Sequence, residues 1–170
     1  MKELLKYTRA NVRVTDTESR CLLFTDSNLF VDSGRAWIAD ALRNAIAGGG
    51  FIDASKFACD LGNNSQTPVI TDLDLVGTIL ASVAIAGGVP TALSAQPTGL
   101  NFQFVYTNST GVDVVIKELG LFYRNIASYP DRGAIPAADY GTMLARLRTT
   151  LSSITVGNTR SVTIDWKIIF

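Results

Sequence analysis

The stretch RSVTIDWKIIF, from Arg160 to Phe170, admits few conformations. Val162, Ile164, Trp166, Ile168 and Phe170 are apolar, and Ser161, Thr163, Asp165 and Lys167 stand between them. A period of two places one set on each face of a β-strand, so this segment is expected to be a half-buried strand whose apolar side faces a core. The expectation is that the chain ends inside its fold and carries its function on a compact β-rich body or on the N-terminal approach to it.

The rest of the chain repeats the signal. Leu100, Phe102, Phe104 and Tyr106 alternate with Asn101, Gln103 and Val105; Asn108–Gly111 reads as a turn, and Val112–Tyr123 resumes as a strand with Gly120 at a bulge, the two forming a hairpin. Lys56–Leu61, Val76–Ile85 and Thr142–Thr149 read as further strands, and residues 21–31 as a short apolar segment broken by a turn at Thr25–Asn28. One helix is expected. Asp32 or Ser33 can cap it; Ala36, Trp37, Ala41, Leu42, Ala45 and Ile46 recur at helical spacing, and Gly48–Gly50 stops it. Residues 1–20, with Val12 and Val14 set among Asn11, Arg13 and Thr15, read as an extended N-terminal arm or edge strand. The expected fold is mainly β: a single antiparallel β-sandwich domain over residues 21–170, with one flanking α-helix and the arm before it.

Charge narrows the function. Fifteen Lys and Arg balance fifteen Asp and Glu, which gives no electrostatic reason to bind nucleic acid or an anionic membrane. The charged fraction is 18%, against about a quarter in ordinary soluble domains. No run reaches the ~20 apolar residues of a membrane span. A weakly charged surface without a span points to contact with other protein chains, including copies of this one. The opening MKELLKYTRA lacks the apolar run of a secretory leader, so folding in the cytosol of the producing cell is expected.

The 170 residues contain no histidine. That removes Ser–His and Cys–His nucleophiles and the commonest metal ligand, and no enzyme activity, cofactor or small-molecule substrate is expected. Cys21 and Cys59 fit no zinc spacing and read as buried free thiols. Asp72 and Asp74 would share a face if they lay on a strand, but they sit among Thr and Asn and read as solvated turn residues. Asp60, Asn63 and Asn64 lack the terminal Glu of a calcium loop. Glu118 stands out because Ile116, Leu119, Leu121 and Phe122 surround it. If buried it needs a partner, and Arg146, in the equally apolar MLARL, is the candidate for a structural ion pair joining two strands. The long segment Asn125–Gly141 and its flanks mix aromatic residues with arginine, as interfaces do: Tyr123, Arg124, Tyr129, Arg132 and Tyr140 are candidate interface residues, with Tyr7, Val12 and Val14 on the arm.

In order along the chain, Asp32-Ser33-Gly34-Arg35 opens the helix, Gly48–Gly50 ends it, Gly62 to Pro68 forms a loop and Asp72-Leu73-Asp74-Leu75 follows. Glu118-Leu119-Gly120-Leu121-Phe122, Gly141-Thr142-Met143-Leu144-Ala145-Arg146 and the alternating Ser161–Phe170 come later. This succession, over residues 28–170, resembles the N-terminal region of tail-collar fibre proteins among the structural proteins of tailed bacteriophages. It departs from them at Gly62-Asn63-Asn64, where a G-x-G or G-D-G is usual, and those fibre proteins continue into a long shaft. The resemblance implies a non-enzymatic virion subunit, tail- or baseplate-associated, whose partners are other virion proteins. A capsid decoration protein is the alternative within that class. A carbohydrate-binding β-sandwich module is the alternative outside it, with Trp37 and Trp166 as the rings.

Overall fold

The computed structural model describes residues 9–46, 53–88, 91–92, 99–124, 141–148 and 153–169. The described chain is mainly β with one helix. The strands are β1 (Arg9–Asp16), β2 (Leu22–Phe30), β3 (Phe57–Gly62), β4 (Ile79–Ala84), β5 (Thr91–Ala92), β6 (Gly99–Thr107), β7 (Val114–Ile116), β8 (Glu118–Tyr123), β9 (Thr142–Arg148), β10 (Ile154–Val156) and β11 (Ser161–Ile169); the helix α1 spans Asp32–Ile46. All pairings are antiparallel, in the order β4-β3-β8-β9-β2-β1-β11-β6-β5, with β10 and β7 forming a separate ribbon.

The alternation in β11 becomes the centre of the core. Trp166 lies opposite Val12 on one side and Phe102 on the other, and Ile164 lies between Val14 and Phe104. All six are buried, while Asn11, Arg13, Gln103 and Val105 on the opposite face are exposed. β8 and β3 supply the facing layer through Leu119, Leu121, Cys59 and Leu61, each fully buried. Phe57 meets Phe102 across the core with ring centroids 4.7 Å apart.

β2 joins the two layers. Its first part, Leu22 to Asn28, pairs with β1, and its end, Leu29 and Phe30, pairs with Arg146 and Ala145 of β9. One strand thus belongs to both sheets, as at the corners of packed sandwiches. At the other side Ile85, just after β4, makes an isolated bridge to Phe104 of β6, so the two ends of the ladder meet.

The helix closes one end. Gly34 lies so close to β9 that a Cβ there would stand 2.2 Å from the Leu144 carbonyl oxygen, which explains a glycine in a helical first turn. Ser33 Oγ donates to the Met143 carbonyl (2.8 Å), so this residue tethers the helix to the sheet rather than capping it. Trp37 then reaches Tyr123 (4.5 Å) and Phe57 (5.9 Å). Gly48–Gly50, expected to stop the helix, lie outside the described residues.

Four expectations are corrected. Residues 9–16 are no free arm: β1 is an interior strand between β2 and β11, and Val12 and Val14 are core residues rather than interface residues. Thr25–Asn28 does not break its segment, because those polar residues run through β2 while paired to β1. β6 and the segment after it are not a hairpin. β6 pairs with β11 and β5, β7 pairs with β10, and Lys117 separates β7 from β8, which belong to different sheets. Cys21 is exposed; only Cys59 is buried, and burial pushes its thiol well above the usual range.

Candidate interaction surface

Alternation along β8 and β9 turns Leu119, Leu121, Leu144 and Leu147 into the sandwich core and turns Glu118, Phe122, Met143 and Arg146 to the outer face of that sheet. Gly120 is the residue directly opposite Arg146, and Glu118 is one diagonal step away. A Cβ on Gly120 would lie 2.6 Å from the Phe122 ring and 3.0 Å from Leu75 Cδ2, so a larger residue would push against the very groups that cover the site.

Arg146 Nη2 donates to Glu118 Oε2 at 2.8 Å, and both side chains are fully buried. Arg146 Nη1 donates to Asp72 Oδ2 at 2.6 Å. Glu118 also accepts from the backbone: Gly77 N–H reaches Oε1 (2.8 Å) and Val76 N–H reaches Oε2 (3.4 Å). Burying a carboxylate and a guanidinium away from water is costly unless both are paired and their remaining groups are hydrogen-bonded. Here one guanidinium takes two carboxylates, and one of those also holds the loop backbone. Asp72 is therefore an ion-pair partner with a side chain only 12% exposed, not the solvated turn residue its surroundings suggested.

A second buried pair sits higher on the same face. Arg124 Nη2 pairs with Asp60 Oδ1, Arg124 Nη1 donates to Ser82 Oγ (2.6 Å), and the guanidinium lies 5.6 Å from the centre of the Phe122 ring. Arg124 is 2% exposed and Asp60 is fully buried. Arg124 is thus an internal residue, contrary to its expected place at an interface. Tyr123, also expected there, is half-buried and packs its ring on Trp37 and Phe57. Tyr7, Tyr129, Arg132 and Tyr140 lie outside the described residues.

Exposed apolar surface is concentrated in a place composition did not reveal. Between β3 and β4, Val69 is 49% exposed, Ile70 40%, Leu73 74% and Val76 48%. Their loop is bound to the body by the Asp72–Arg146 and Glu118 contacts, by Asp32 N–H donating to the Ile70 carbonyl (2.8 Å), and by Leu75 packing beside Val31, Phe122 and Met143. Four apolar side chains face solvent from a backbone pinned by buried charges.

No protein-family model, curated protein or solved structure matches this chain. Its chemistry must be judged from its own residues. Among the described residues no group of three or more Cys, Asp or Glu side chains is arranged to hold a metal ion, and no helix is long and apolar enough to cross a membrane. A shallow depression lined by Asp26, Ser27, Thr67, Pro68 and Arg148 lies where β2 parts from β9. Arg148 Nη1 there is engaged with the Ser65 carbonyl (3.1 Å). The arrangement offers a shaped surface for contact.

Proposed function

We propose that this chain is a non-enzymatic structural subunit of a tailed-bacteriophage particle, tail- or baseplate-associated, which docks another virion component. The observation that carries the docking role is the loop over residues 63–78. Val69, Ile70, Leu73 and Val76 project from it while Glu118 and Arg146 hold its backbone from beneath. Exposed apolar side chains on a fixed backbone favour association, because little conformational entropy is lost when the partner arrives. The placement in a virion rests on the motif succession from Asp32 to the closing strand.

A sugar-binding module would need an exposed aromatic platform. Trp166 is fully buried, and Trp37 packs edge-on against Phe57 and tilted against Tyr123, which favours protein over carbohydrate as the partner.

Light scattering on the purified chain tests association directly, with Leu73→Asp as the comparison. The parent is expected to self-associate or to join its partner, and the variant to lose that association while keeping the parent's melting temperature. A parent that stays monomeric and occupies no position in an imaged particle defeats the proposal, as does turnover of a substrate.

A further inference from the structure

Residues 63–78 leave the body and return to it at one point. Gly62 and Ile79 are cross-strand partners at the end of the β3–β4 ladder. Just beyond them Asn63 N–H donates to the Thr78 carbonyl (3.3 Å), and Thr78 N–H donates to Asn63 Oδ1 (3.0 Å). The neck is tight: a Cβ on Gly77 would stand 2.5 Å from Asn64 Cβ. A surface loop with its ends clamped together is an Ω-loop. The ladder below such a neck keeps its register whether or not the loop lies against the protein.

The loop also has structure of its own. Asn64 Oδ1 accepts from Gln66 N–H (2.7 Å), Asp72 Oδ2 accepts from Val69 N–H (2.8 Å), and Asp72 N–H donates to the Val69 carbonyl (3.0 Å). Its attachment to the body is of another kind. Besides Asp32 N–H to the Ile70 carbonyl, bonds come from side chains of two strands: Glu118 to Gly77 and Val76, Arg146 to Asp72 and the Gln66 carbonyl, and Arg148 to the Ser65 carbonyl. Leu75 adds one apolar plug among Val31, Phe122 and Met143.

We propose that residues 63–78 form a strap that opens and closes over the outer face of the sheet as one unit, with Glu118 and Arg146 as its latch. Opening breaks the contacts to those side chains, withdraws Leu75 and bares Phe122 and Met143, while the β3–β4 ladder and the sandwich core stay intact. Cooperative local units of this kind open at a free energy below that of global unfolding. The inference stands on the neck and the latch and not on the docking role. If docking does use Val69, Ile70, Leu73 and Val76, a partner that binds only the closed strap shifts the equilibrium towards closure by its difference in affinity for the two forms.

Hydrogen–deuterium exchange read by mass spectrometry on the full chain tests the strap, comparing the parent with Glu118→Gln and Asp72→Asn. A hydrogen bond to a charged group stabilises by an amount equal to roughly ten- to a hundredfold in an equilibrium. In the parent the hydrogen-bonded amides of residues 63–78 are therefore expected to exchange faster than those of β1, β6 and β11, and Glu118→Gln to speed the strap further by roughly that factor. Asp72→Asn keeps the Glu118–Arg146 pair and should give a smaller rise in the same residues; if Glu118→Gln fails to fold, this variant and the parent decide alone. A parent whose strap exchanges no faster than its core strands overturns the proposal, because the segment would then open only with the whole domain. So does a strap whose exchange neither variant changes. Failure of Leu73→Asp to alter association bears on docking and leaves the strap standing.

Discussion

Replacing Arg146 by Met removes a buried cation and nearly preserves its volume. Glu118 then remains fully buried as a carboxylate with only the Gly77 and Val76 amides, while Asp72, already partly exposed, can turn to water. Removing one partner of a buried pair costs about 3–5 kcal/mol because the other charge is left uncompensated. The two amides keep part of that compensation, so the lower end, about 3 kcal/mol, is expected. For a domain of this size that is a fall of about 6–12 °C in melting temperature, at about 2–4 °C per kcal/mol. The double variant Glu118→Gln/Arg146→Met removes both charges, and Gln can still accept from Gly77 N–H. It should recover at least half of the loss, since a buried pair replaced by neutral groups is often close to neutral in stability. Arg160→Ala breaks the exposed pairs with Asp16 and Glu18 and should leave the melting curve unchanged. Urea titrations or calorimetry on these proteins and on the Glu118→Gln single variant suffice. An Arg146→Met variant as stable as its parent, or a double variant with the two single losses summed, would refute the account of a buried charge that needs its partner.

Gly34→Ala should destabilise by about 1–3 kcal/mol, because its Cβ must displace the backbone of β9; an unshifted thermal melt would mean that the helix can move away freely. Thiol labelling of the native chain should modify Cys21 at once and Cys59 only on unfolding, and rapid double labelling would contradict the buried position of β3. Burial raises the Cys59 thiol in the folded state, so the unfolded chain ionises first as pH rises, and stability should fall above the ordinary thiol value. The loss between about pH 8 and about pH 10 should be smaller in Cys59→Ala than in the parent, and equal slopes would deny that contribution. Asn108→Ala should cost about 1–3 kcal/mol in urea unfolding, since the buried side chain donates to the Val112 and Val156 carbonyls at 2.7 and 2.8 Å; a neutral result would assign those contacts no weight.

Period-two alternation makes β6 and β11 legible, and Glu118 is visible as a carboxylate among apolar neighbours. The same alternation runs through Val12 and Val14. A short strand shows its faces in sequence but not its partners, and only the pairing with both β2 and β11 makes it central. Asp60 lies in FACDLG, as apolar a setting as that of Glu118, and that was the available signal for the second buried pair; its partner Arg124 looked like the first residue of a loop. Asp72 carried no such signal. It comes from an irregular segment with no period, and its burial depends on a loop folding back over the sheet. The change of sheet at Lys117 shifts the phase: Ile116 and Leu119, three apart, both face the core, and Glu118 between them turns to the outer face.

The bridge between Ile85 and Phe104 deserves a mechanical translation. A cylinder of staves fastened along most of its length, but by a single rivet at one joint, has a preferred line of rupture. Ile85 N–H also donates to the Phe57 carbonyl, so the stave beside that joint stays fastened to β3 on its other flank. Among the described residues no other join of the wall rests on so few paired residues, the next weakest being the two pairs of β2 with β9 and of β5 with β6.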